Sequence, residues 1–119
     1  MAAVIDPGAD TAAHLLPLAL SRPHEAARRA RLLLQQPLSP LEASYARQAI
    51  GIVLRETGDA EHAVLQLRAA RSLARRSGAP ERESDVLATL GVALAFAGRT
   101  AAARRALDAA VAGSQGLLN

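Results

Sequence analysis

The chain of 119 residues has no cysteine, no lysine, no tryptophan and only two aromatic residues, Tyr45 and Phe96. Without cysteine it can form no disulfide and no cysteine-ligated metal site, and it has no cysteine nucleophile. Proline or arginine interrupts each apolar stretch, so we expect no membrane-spanning segment. Residues 1–10 lack the basic and apolar regions of a signal peptide, so a cytoplasmic location is the expectation.

Residue types that often catalyse reactions or bind metals form no recognisable pattern in this sequence. The three histidines, His14, His24 and His62, lack the spacing of metal ligands. The glutamates form no convincing acid–base pair, and there is no glycine-rich phosphate-binding loop. We therefore expect no catalytic residue, no metal, no cofactor and no enzymatic activity in this chain.

The apolar residues are mostly small or aliphatic, since half of the chain is hydrophobic and alanine and leucine dominate. Alanine has the highest helix propensity, and its small side chain lets helices approach one another closely. The length corresponds to one domain or to a piece of a larger array. The composition predicts an all-α domain with tight contacts between helices.

Proline and glycine divide the chain into helical segments. Pro23 and Pro40 suit the first turn of a helix, and Ser39 is a good N-cap directly before Pro40. Gly58 and Gly98 are placed to end helices. This punctuation predicts six helical segments in three hairpins. The expected divisions are a flexible leader at 1–10, a helical domain at 11–114 with hairpins at about 11–36, 40–77 and 81–113, and a tail at 115–119.

Two stretches of the chain repeat one another, and Gly91 follows Gly51 by 40 residues. In residues 51–59 and 91–99 the two glycines have the same spacing, and the match continues into the next helix. A repeat of this length is typical of a helical solenoid, an architecture that usually binds other proteins. The residues that we expect to pack the repeats are Gly51, Gly58, Ala63, Leu67, Gly91, Gly98, Ala103 and Leu107.

This repeat resembles the tetratricopeptide repeat (TPR), in which each unit is a helix hairpin. In that family a small residue follows a large apolar one in the first helix, and Gly-Asp or Gly-Arg forms the turn. The matching residues are Ile50, Gly51, Gly58 and Asp59 in one copy and Leu90, Gly91, Gly98 and Arg99 in the other. The resemblance implies a TPR-like α-solenoid of three antiparallel hairpins. The 40-residue offset exceeds the usual TPR length, which implies longer helices or a longer turn.

Residues 39–55 and 82–94 are also similar to the N-terminal TPR region of actinobacterial proteins that carry a C-terminal CHAT domain, a caspase-like peptidase fold. This resemblance implies a non-catalytic protein–protein interaction or scaffold module. It would be the N-terminal sensor or regulatory part of a larger protein. Any catalytic CHAT domain would follow it in the full-length protein.

The first helix of each TPR hairpin lines a concave groove, so the resemblance also implies a partner-binding groove. Its occupant would be a protein, a peptide or another domain of the same polypeptide. Gln48 and Ile52 stand where some TPR proteins use asparagine and lysine to clamp a peptide carboxylate, which argues against that mode. The expected groove residues are Tyr45, Gln48, Ile52 and Arg55 in one repeat and Asp85, Ala88, Val92 and Ala95 in the next.

Two other functions remain open. The apolar residues Val111, Leu117 and Leu118 suggest an uncovered end of the last helix, and a structural self-association module without an external ligand would use it. A weaker alternative is a basic nucleic-acid-binding helical domain. The formal charge of +3 is small and no aromatic platform is present, so a solvated outer face is the expected role of the arginine clusters. These clusters are Arg28, Arg29 and Arg31, then Arg71, Arg75 and Arg76, then Arg104 and Arg105.

Overall fold

A computed structural model describes residues 7–118 of the chain. This part of the chain is helical and contains no strand, and its helices form consecutive hairpins, which confirms the expected all-α hairpin architecture. The helices are α1 (Pro7–Ala13), α2 (Leu15–Ser21), α3 (Pro23–Leu33), α4 (Pro40–Glu56), α5 (Ala60–Arg76), α6 (Pro80–Phe96) and α7 (Thr100–Leu118).

The first predicted segment is two short helices, with a break at His14. Pro17 explains the break, because it has no N–H to donate to the carbonyl of Ala13 four residues earlier. The predicted leader was wrong in its second half, since α1 begins at Pro7. Residues 1–6 lie outside the described residues.

The predicted tail at 115–119 was also wrong, because α7 continues to Leu118. Gly113 lies inside this helix, and a Cβ there would collide with the Ser84 hydroxyl of α6. The missing side chain at Gly113 therefore leaves room for Ser84 where α7 packs on α6. Asn119 lies outside the described residues.

The start of α4 is a complete capping box. The Ser39 hydroxyl accepts a hydrogen bond from the Glu42 backbone N–H at 3.1 Å, and the Glu42 carboxylate accepts one from the Ser39 N–H at 3.2 Å. Pro40 occupies the first turn, where no intrahelical N–H donor is needed. These bonds join residues three positions apart, so the local sequence specifies where the helix begins.

The turns after α4 and α6 have the same hydrogen-bond pattern. Gly58 has φ +92°, and the Asp59 N–H donates to the Leu54 carbonyl at 2.8 Å. Forty residues on, the Arg99 N–H donates to the Leu94 carbonyl at 2.8 Å after Gly98. Glycine suits these positions because its missing Cβ permits a left-handed backbone. The sequence repeat is therefore a structural repeat of the turn.

Helix length accounts for the 40-residue offset. Helices α4, α5 and α6 each contain 17 residues, and the links between them are short. Helix α4 packs on α5 and α6 packs on α7, while α6 also contacts both α4 and α5. The two repeated hairpins therefore stack directly, and α4 and α6 lie side by side. Within residues 7–118 no helix is long and apolar enough to cross a bilayer.

Candidate functional site on α4 and α6

A buried arginine of α6 joins the two neighbouring helices. Arg82 is only 5% exposed, and its Nη2 donates to Gln48 Oε1 of α4 at 2.7 Å and to Ser44 Oγ at 3.3 Å. Its Nη1 donates to Asp85 Oδ2 at 3.0 Å. A guanidinium presents its donors in a rigid fork, so these contacts define the position of α6 on α4.

Gln48 completes this set of bonds from the other side. Its Nε2 donates to Asp85 Oδ2 and to Thr89 Oγ1, each at 3.0 Å. Since its Oε1 accepts from Arg82, both ends of the buried amide are satisfied, as a buried polar group requires. We call Ser44, Gln48, Arg82, Asp85 and Thr89 the polar network.

Tyr45 covers the guanidinium of Arg82. The Cζ atom of Arg82 lies 3.7 Å from the centroid of the Tyr45 ring, a cation–π arrangement. Burial lowers the pKa of Arg82, while the neighbouring Tyr45 and Asp85 oppose that shift. An arginine stays protonated at neutral pH, so the network contains a buried positive charge that needs its partners.

The structure corrects the expectation for two of the predicted groove residues. Gln48 and Ile52 are buried, at 1% and 6% exposure. Gln48 is covered by α6, to which it hydrogen-bonds, and Ile52 lies in the apolar core that α4 forms with α2 and α3. Tyr45 and Arg55 are half-buried, and Arg55 pairs with Glu56 at 2.9 Å.

The residues predicted on α6 are more accessible than those on α4. Asp85 and Val92 are exposed, Ala88 is half-buried and Ala95 is exposed. Asp85 contacts Gln48 and Arg82 within the polar network, whereas Ala88 and Val92 have apolar side chains. The surface open to a partner is therefore on α6.

Sequence reasoning missed Arg82, Ser44 and Thr89. A signal for Arg82 was available, because it precedes Val86 by four residues and Leu90 by eight, and both are buried. That spacing places the arginine on the buried stripe of α6. A charged residue in such a stripe requires polar partners on the facing helix.

Two open grooves flank α6. The first, of about 420 Å³, lies between the start of α6 and the end of α7 and includes Asp85, Ala88, Val111 and Leu117 in its lining. The second, of about 550 Å³, lies among α5, α6 and α7. It has a leucine floor and four arginines, Arg68, Arg71, Arg75 and Arg105. Of these, Arg71 and Arg75 already pair with Glu83 at 3.8 and 3.2 Å.

Residues 7–118 contain no group of three or more acidic or histidine side chains that could hold a metal ion. Comparison of the chain with family models, curated proteins and solved structures found no match. The resemblances to TPR and CHAT-associated proteins therefore stay predictions.

Proposed function

We propose that this chain is a non-catalytic protein–protein interaction or scaffold module with TPR-like packing. In this proposal it works in the cytoplasm as the sensor or regulatory part of a larger protein, such as one with a CHAT domain. The observation that supports it is the outward side of α6, where apolar Ala88 and Val92 lie beside the Asp85 carboxylate. A mixed apolar and charged surface of this kind suits a protein partner.

The polar network also supports this proposal. Its hydrogen bonds join α6 to α4, and in this proposal they position the outward residues of α6 before a partner binds. A preorganised surface loses less conformational entropy on binding than a mobile one.

Self-association is the second candidate function, and a separate observation favours it. Val111 and Leu117 of α7 are 57% and 48% exposed, next to the outward side of α6. Contiguous exposed apolar residues often mark a protein contact. The side chain of Leu118, which also suggested this function, lies outside what the structure describes.

The test is quantitative affinity capture with the full chain and two matched variants. Val92→Glu places a charge on the outward side of α6, and Leu65→Glu makes the same change at an exposed position of α5. We expect Val92→Glu to lose a specific partner that Leu65→Glu retains. Gln48 and Ile52 are unsuitable here, because changes at buried residues alter the fold.

If the Val92→Glu and Leu65→Glu variants capture the same proteins, the proposal is contradicted. Sedimentation velocity of the wild type over a range of concentrations separates the second candidate. Dimers that Val92→Glu or Val111→Glu dissociates would support self-association.

A further inference from the structure

Equivalent positions of the two repeats differ in exposure. Ile52 and Leu67 are 6% and 0% exposed, whereas Val92 and Leu107, which follow them by 40 residues, are 37% and 38% exposed. Helix α6 packs against one face of the hairpin formed by α4 and α5. The equivalent face of the hairpin formed by α6 and α7 is not covered by any described residue. In the first repeat this surface binds a helix, α6. The second repeat has the equivalent surface, and there it is exposed.

We call this open surface the end face. It combines the outward side of α6 with the apolar side of α7, and the groove of about 420 Å³ runs along it. Its members are Ser84, Asp85, Ala88 and Val92 of α6 and Leu107, Ala110, Val111, Ser114, Gln115 and Leu117 of α7.

The occupied copy shows which side chains of α6 make the contact. Arg82 reaches Ser44 and Gln48 through the polar network. Val86, four residues later, packs with the small residues Ala70 and Ala74 of α5.

Glu83, next to Arg82, meets two positive charges. It lies 3.2 Å from Arg75 and 3.8 Å from Arg71, both on α5. Helix α6 therefore contacts the first repeat through a cation, an anion and a branched aliphatic residue, which are Arg82, Glu83 and Val86.

On the end face the cation site is altered and the notch for the branched side chain is kept. Ala88 replaces Gln48, so the amide oxygen that accepts from Arg82 at 2.7 Å has no counterpart. Ser84 replaces Ser44, and Asp85 replaces Tyr45, so a cation would meet a hydroxyl and a carboxylate. The side chain of Asp85 is 53% exposed and can accept a further donor. Ala110 and Ser114 replace Ala70 and Ala74, so the notch for a branched side chain remains.

The third complement is changed. Val111 stands in place of Arg71, and Gln115 stands in place of Arg75. An acidic residue in the incoming helix would lose both of its arginines and face an exposed valine. Because a desolvated carboxylate without a partner is unfavourable, this position selects an apolar residue.

We propose that the end face binds an amphipathic α-helix of a partner protein in the pose that α6 adopts on α4 and α5. The helix carries arginine or lysine at the position of Arg82, an apolar residue at the position of Glu83 and a branched aliphatic residue at the position of Val86. This inference rests on the proposed interaction function and names the partner's chemistry.

The probe is a capped synthetic peptide with the sequence of residues 79–97 and the substitution Glu83→Leu. We expect it to bind the full-length chain at least about tenfold more tightly than the unaltered peptide, a difference of about 1.4 kcal/mol. A third peptide that also carries Arg82→Glu should lose binding, because its carboxylate would face Asp85. Fluorescence anisotropy measures all three affinities.

A reversal of preference tests the pose. The chain variant Val111→Arg with Gln115→Arg restores the two arginines that Glu83 meets on α5. We expect this variant to bind the unaltered peptide more tightly than the Glu83→Leu peptide. Both positions are exposed on α7, so the variant should fold. Leu65→Arg, which adds charge on α5, should leave the preference unchanged.

Methyl NMR spectra locate the bound peptide. We expect shifts at Val92, Leu107 and Val111, and shifts confined to other residues would overturn the proposal.

Equal binding of the two peptides, or no reversal in the double variant, would also overturn it. A dimer that Val111→Arg dissociates would make a second copy the occupant and the proposal wrong. If neither peptide binds but Val92→Glu still loses a captured partner, the helix is rejected and the interaction function stands.

Discussion

Gly51 of α4 lies directly against the isobutyl group of Leu67 on α5. A Cβ built on Gly51 would lie 2.5 Å from Leu67 Cγ, which is shorter than real Cβ contacts. The same contact recurs in the second repeat, where a Cβ on Gly91 would lie 2.6 Å from Leu107 Cγ. The repeated glycine thus lets each pair of helices approach closely, with the leucine filling the space that a side chain would take.

Gly51→Ala is expected to lower the free energy of unfolding, because the added methyl group forces Leu67 to move within a packed core at a cost of about 1–3 kcal/mol. The gain of about 1 kcal/mol in helix propensity offsets part of this cost, which leaves a net loss of up to about 2 kcal/mol. Gly116→Ala is the matched control, since a Cβ there meets no atom within 4 Å. Urea unfolding should show a loss for the first variant and a gain for the second. A gain for both would contradict the packing argument.

Gly91→Ala should destabilise the chain less than Gly51→Ala. Leu67 is fully buried, whereas Leu107 is 38% exposed and can turn towards solvent. Because Leu107 can move away from the added methyl group, we expect the losses of unfolding free energy in the two variants to differ by about 1 kcal/mol. Parallel urea titrations of the two variants measure it, and equal losses would show that Leu107 cannot move.

Within the polar network, Gln48→Leu should lower the free energy of unfolding by about 2–3 kcal/mol, because it removes a buried partner of the Arg82 charge. The double variant with Arg82→Met should be more stable than Gln48→Leu alone, since both facing groups are then apolar. A double-mutant cycle by urea unfolding measures the coupling. Additive losses would mean that the two side chains act independently.

The ion pairs of Glu25 on α3 predict a dependence of stability on pH. Hydrogen bonds from Arg28 and Arg29 lower the pKa of Glu25 from 4.5 to about 2. The charged form is therefore favoured by folding, so its contribution is present above pH 4.5 and is lost as the pH falls through about 2.

Glu25→Gln tests this sign. At pH 7 and low salt the variant should have a lower Tm than the wild type, and the difference should shrink as the pH approaches 2. Since the pair is exposed, added salt should also reduce the difference. A Tm difference that is constant over this pH range would contradict the assignment.

Features that depend on neighbours in the sequence were predictable. Ser39 and Pro40 predict the start of α4, and Gly58 and Gly98 predict its end and that of α6. The break at His14 could have been located from Pro17, which cannot donate a hydrogen bond to the carbonyl of Ala13. The continuation of α7 past Gly113 was missed, because glycine has a low helix propensity and the packing of α7 on α6 that offsets it is not visible in the local sequence.

The sequence predicted which helices carry the candidate site, but it did not predict which of their residues are exposed. The repeat placed Gln48 and Ala88, and likewise Ile52 and Val92, at equivalent positions, so the sequence treated each pair as alike. The structure buries the first member of each pair and leaves the second more open. The polar network was hidden for the same reason, because Arg82 and Gln48 meet only once α6 lies on α4.

By itself the sequence determined the all-α class, the repeat and the turns between the long helices, because caps, prolines and left-handed glycines act over a few residues. Tertiary structure decided which repeated positions are covered. Burial depends on whether another helix lies on a face, and that contact joins residues some 40 positions apart. Leu67 and Leu107 share one sequence pattern, and only the presence of α6 over Leu67 makes them different.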